Sequence, residues 1–172
     1  ALIVPLLVIE KPEGADDEWE VDRDEVSSAV HGAFRTYDVA GFYCDVALWE
    51  SEILEWQRLY GSRVRVDSNM KTGHPFWWDM RRSLQVVTLA HERFASSIFN
   101  GAVKHGGDKS LRRHVLNVYR SENRYGVSFR KISRESNRKV DLYAAAMVAH
   151  ECLIDYRARG RKRQGGRRSW FM

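Results

Sequence analysis

The sequence predicts an α/β domain in which a mixed sheet is flanked by helices. Three observations lead there. Short apolar runs bounded by Gly, Asp or Arg alternate with segments whose apolar residues recur every three or four positions. One of those segments, 140–156, is apolar nearly all round, as a helix packed inside a domain must be. The chain has 172 residues, 44% of them hydrophobic, enough for one domain that buries roughly two-thirds of the surface its unfolded form exposes.

Along the chain, Ala1 to Ile9 reads as a buried strand and Glu10 to Asp24 as an acidic loop around Trp19. Val26, Val30, Ala33, Phe34 and Tyr37 fall at helical spacing, with Asp22 or Asp24 as cap. Gly41-Phe42-Tyr43-Cys44 is too short for a helix and reads as a strand; Trp49, Ile53, Trp56 and Tyr60 then share a helical face that Gly61 ends. Val64 and Val66 alternate with charged residues as a half-exposed strand would. Trp77 to Ile98 predicts a helix of about six turns, 102–103 a short strand, Gly106-Gly107 a turn and 111–119 another helix. Residues 126–132 alternate as a strand, and Val140 to Tyr156 is the buried helix. The domain is therefore expected over 1–156, followed by a basic tail, 157–172, too poor in apolar residues to fold alone and expected to be disordered.

Composition excludes several classes. The two cysteines form no Cys-x-x-Cys pair, so a zinc ribbon, a disulfide scaffold and a thioredoxin-like site are disfavoured, and a reducing cytosol is expected. The longest apolar run is far shorter than the roughly 20 residues that span a bilayer, and no cationic segment precedes it. The chain opens inside hydrophobic sequence without a polar lead, so further polypeptide is expected upstream of Ala1.

The net charge of +5 is unevenly spread. Residues 1–103 carry 10 basic and 17 acidic side chains, 104–139 carry 11 and 3, 140–156 carry 3 acidic only and 157–172 carry 7 basic only. A basic belt beside an acidic remainder suits a polyanion ligand, since Lys and Arg release counterions from phosphates; an unevenly charged solvated surface is the plainer alternative. Lys104, His105, Arg112, Arg113, Lys131, Arg138 and Lys139 are the belt residues expected to meet the phosphates of such a ligand.

Two aspartates stand out by position. Asp45 ends an apolar run, at the carboxyl edge of an expected strand where open α/β sheets bind ligands, or else as the cap of the next helix. Asp141 opens the buried helix just after Arg138-Lys139, where the helix dipole also favours a carboxylate. Two carboxylates at one sheet edge can hold divalent cations that clamp a phosphodiester, and oxygen ligands point to Mg2+ or Mn2+. The six histidines form no metal signature and are expected in the core or at its rim, His105 excepted. Gly107-Asp108-Lys109-Ser110 lacks the order of a nucleotide-binding loop.

Taken together, Phe42-Tyr43-Cys44-Asp45, Ser51-Glu52-Ile53, Lys104-His105-Gly106-Gly107-Asp108 with Leu111, His114 and Asn117, Arg130-Lys131, and Arg138-Lys139-Val140-Asp141 resemble the C-terminal nuclease domain of tailed-bacteriophage large terminases over about residues 2–155. Glu10-Lys11-Pro12-Glu13-Gly14 with Trp19 fits its early hairpin. The resemblance implies a ribonuclease-H-like fold, three aspartates binding two divalent metal ions, and endonuclease cutting of concatemeric double-stranded DNA in the cytoplasm of an infected bacterial host. On that pattern Asp45 is the second aspartate and Asp141 the third, while the first, in a Gly-x-Asp, is absent from this chain; Val46 stands where members often have Pro. Lys139 would stabilise charge beside Asp141, or else stand as an ordinary surface lysine. An upstream ATPase motor domain, the portal and the small terminase subunit are the implied partners. The alternatives are a DNA- or portal-binding module that does not cut, and another nuclease of this fold, of resolvase or integrase type.

Overall fold

The computed structural model describes residues 1–68, 70, 73–133 and 136–164, the last five by backbone alone. Its elements run β1 (Leu2–Ile3), α1 (Arg23–Thr36), β2 (Cys44–Asp45), α2 (Glu50–Tyr60), β3 (Trp77–Trp78), α3 (Leu84–Phe99), β4 (Lys104–His105), α4 (Lys109–Leu116), β5 (Tyr119–Asn123), β6 (Gly126–Arg130) and α5 (Asp141–Gln164). The class is mixed α/β, with small sheets and five helices.

The helices follow the periodicity. Asp22 caps α1, accepting from the amides of Asp24 (2.9 Å) and Glu25 (3.1 Å), which satisfies donors the first turn leaves unpaired. Aromatic residues at helical spacing then join α1 to α2 and the 76–77 segment: Phe34, Val46, Ile53, Trp56 and Phe76 form one core, with Phe34 stacked on Tyr60 at 4.1 Å. A second core gathers Val87, Ala90 and Phe94 of α3, Leu111 of α4, Tyr143, Ala146 and Met147 of α5, and Trp78. Burial of α5 is as expected over most of its girth, from Tyr143 to Cys152.

The strands depart from expectation. In place of one mixed sheet, the described residues form three pairs: β1 parallel to β4, β2 parallel to β3, and β5 antiparallel to β6. Turns keep the parallel ladders short. Beyond β2 the chain bends at Ala47–Trp49, where the Trp49 amide returns to Val46 O (3.1 Å); beyond β3 the Asp79 carboxylate accepts from the amides of Arg81 (2.9 Å) and Arg82 (3.1 Å); beyond β4 Gly107 takes φ +83°, a left-handed turn suited to glycine.

Ala1 to Ile9 is not a buried strand. It alternates, with Leu2, Val4 and Leu6 exposed and only two residues in the ladder. Residues 64–66 form no ladder: Val66 is fully buried, but among the described residues the one backbone bond here runs from the Arg65 amide to Ala40 O (2.7 Å). Trp77 and Met80 lie outside α3, because Trp77–Trp78 pairs with Cys44–Asp45, a competitor that local spacing does not reveal. The short strand expected at 102–103 forms two residues later, at 104–105, and Tyr119 opens β5 rather than closing a helix. The helix expected to end at Tyr156 continues to Gln164, so the first eight residues of the expected disordered tail are helical. The rest of that tail, 165–172, lies outside the described residues.

Candidate functional site

Asp45 is exposed at the end of β2, and it does not cap the following helix: α2 starts behind Trp49 with no side-chain cap. Asp141 is exposed as the first residue of α5, at the positive end of the helix dipole. Among the described residues no hydrogen bond or ion pair engages either carboxylate, and none links the two. Both therefore present free, hard oxygen donors of the kind that Mg2+ and Mn2+ prefer. Among the described residues no three His, Cys, Asp or Glu side chains gather to hold a metal; each of these two carboxylates fits a divalent cation in kind, and no contact among the described residues brings them to one ion. The thiols do not add to it. Burial pushes Cys44 up, and pushes Cys152 up to about 12, so neither offers a thiolate at neutral pH.

The segment around Asp141 is held by α4. Asp108 caps α4, its carboxylate accepting from the Leu111 amide (2.7 Å). One turn on, His114 is buried at 2% exposure. Its Nδ1 accepts from the Leu142 amide (3.0 Å), which leaves the hydrogen on Nε2 to donate to Glu10 Oε1 (2.6 Å). Glu10 also pairs with Arg113. The bond from His114, with the Arg113 guanidinium beside it, holds the Glu10 carboxyl below the usual carboxylate range. Asn117 Nδ2 donates to Lys139 O (3.0 Å). The expectation of a core or rim histidine agrees with the burial of His114. Glu10 and the bonds to Leu142 and Lys139 escape sequence reasoning, since nothing in local spacing couples position 10 to position 114.

The belt residues divide. Lys104 and His105 are exposed on β4, the His105 Nδ1 accepting from the Gly107 amide (3.1 Å). Arg112 and Arg138 are exposed, while Lys131 and Lys139 are half-buried. Arg113 is exposed but engaged by Glu10, so its charge is partly answered within the protein. Lys109, Arg112, Arg113, Leu116 and Asn117 line an open surface cleft of about 340 Å³ on α4. The structure thus gathers part of the belt on one helix and its preceding turn.

Over 147 residues the chain is 33% identical to the gene 13 protein of Mycobacterium phage L5 and, over the same length, 34% identical to the gene 13 protein of Mycobacterium phage D29. The match points to a bacteriophage origin. It covers 85% of this chain and 24% of each relative, so the chain spans about a quarter of the length of the curated relatives it matches. No family model matches the chain, and no solved structure matches it. Among the described residues no helix is long and apolar enough to cross a membrane.

Proposed function

We propose that this domain is the metal-dependent endonuclease of a phage DNA-packaging enzyme, of ribonuclease-H-like kind although its strands pair two by two among the described residues, acting on concatemeric double-stranded DNA in the host cytoplasm. The observation that supports this best is the pair of exposed, unengaged aspartates, Asp45 ending β2 and Asp141 opening α5, in a chain that also exposes a basic belt on β4 and α4. Similarity to phage proteins several times as long agrees with one part of a larger machine, whose ATPase motor, portal and small subunit would be its partners.

On this reading Asp45 and Asp141 hold two divalent ions, Mg2+ or Mn2+. When bound, such ions favour formation of a hydroxide nucleophile and neutralise charge on the departing 3′ oxygen. Lys104, His105, Arg112, Arg113, Lys131 and Arg138 grip phosphates without reading bases, and Lys139 offsets charge beside Asp141. Supercoiled plasmid incubated with the protein and Mn2+ should be nicked, and Asp45→Asn and Asp141→Asn should each abolish nicking without lowering Tm. Nicking by both variants at the original rate would refute the assignment.

A second reading, a module that binds DNA or the portal without cutting, is favoured by the lack of a three-donor group among the described residues. Duplex binding with no nicking under any divalent ion would select it.

A further inference from the structure

We infer that His114 is a positioning residue for Asp141, holding the first turn of α5 through the Leu142 amide while Glu10 holds the ring. The inference rests on the proposed role of Asp141 as a metal ligand and adds to it the part that sets where the ligand stands.

The first amides of a helix have no partner within it. In α5 the residue before Asp141 is Val140, whose side chain cannot cap; the Ala144 amide returns to Val140 O (3.0 Å), and the Leu142 amide would be left bare without His114. On the other side of Asp141, Asn117 fixes the Lys139 carbonyl. Both flanks of the aspartate are therefore tied to α4, which is itself capped by Asp108. The ring has little choice of pose: it is 2% exposed, and each nitrogen has a different task, Nδ1 accepting from α5 and Nε2 donating to Glu10. A ligand whose backbone is fixed on both sides loses little freedom on taking up a cation, and supports of this kind commonly change metal affinity by about 10- to 100-fold.

Two substitutions separate the two ring contacts. In His114→Asn the amide oxygen stands near the position of Nδ1 and can still accept from Leu142; in His114→Gln the amide reaches toward Glu10 and leaves Leu142 without an acceptor. Two readouts apply to the whole chain: hydrogen exchange at the Leu142 amide, and Mn2+ affinity from water-proton relaxation. His114→Gln should speed exchange at Leu142 and weaken Mn2+ binding about tenfold, and His114→Asn should restore both. If His114→Gln does not fold, Glu10→Ala, which removes the acceptor that holds the ring from a half-buried position outside the core, should shift both readouts the same way to a smaller extent. The inference is overturned if His114→Gln, or Glu10→Ala in its place, binds Mn2+ like the parent while Asp141→Asn has lost it. Parental Mn2+ binding by Asp141→Asn overturns instead the reading of Asp141 as a ligand, and the Leu142 exchange then reports a helix cap alone.

Discussion

Arg93 of α3 and Glu151 of α5 form a two-pronged ion pair, Nε donating to Oε2 at 3.0 Å and Nη2 donating to Oε1. The Glu151 side chain is 9% exposed and that of Arg93 40%, so the carboxylate depends on the pair more than the guanidinium does. Removing the arginine strands a buried charge, whereas neutralising both partners does not. Arg93→Ala should therefore destabilise the fold by about 1–3 kcal/mol, and adding Glu151→Gln should recover part of the loss. Urea unfolding of both variants checks this; equal losses would show that the pair is screened by solvent and contributes little.

Stability should fall on mild acidification. Burial holds His91 and His150 below the ordinary imidazole value, and the neighbouring cations Arg157 and Arg93 add to this at His150. The unfolded chain takes up these protons near pH 6.5 while the folded one does not. Their contribution is thus complete above the unfolded value and is lost as pH falls from there toward the lowered folded values, with a slope of up to about 1.4 kcal/mol per pH unit per histidine. Among the described residues His150 Nδ1 has no hydrogen-bond partner, so His150→Gln removes a titrating group without breaking a bond seen there. Unfolding free energies between pH 7.5 and 5 should show a shallower slope in that variant.

If the belt meets phosphates, Lys104→Ala, Arg112→Ala and Arg138→Ala should each weaken binding to unrelated duplexes alike and reduce the slope of log affinity against log salt by about 0.9 for each phosphate no longer neutralised. Arg113→Ala should do less, because its charge is already shared with Glu10. A salt series on two duplexes of different sequence measures both effects, and a loss confined to one sequence would mean base readout.

What sequence makes legible here is local. Asp22 and the apolar spacing of 26–34 define α1, and the breadth of apolar character in 140–154 defines a buried α5. Where two periods fit equally, local spacing misleads: Trp77, Met80 and Leu84 match a helix, yet Trp77–Trp78 answers to Cys44–Asp45, more than thirty residues away. Arginine is a good helix former, so 157–164 extends a helix already begun, although composition alone argues for disorder. Asp45 and Asp141 stand out by position, but the support beneath Asp141 does not, because it couples residues 10, 114 and 142 through the fold.

The division of the strands into pairs leaves one side of β1 without a ladder partner among the described residues, beside the exposed Leu2, Val4 and Leu6. Such an edge invites a neighbouring molecule to add a strand, the route by which sheet proteins clump. Pro5 stands where that ladder would extend, and it has no amide hydrogen to donate. It serves as a gatekeeper, limiting edge-to-edge growth of a segment whose composition would otherwise favour it.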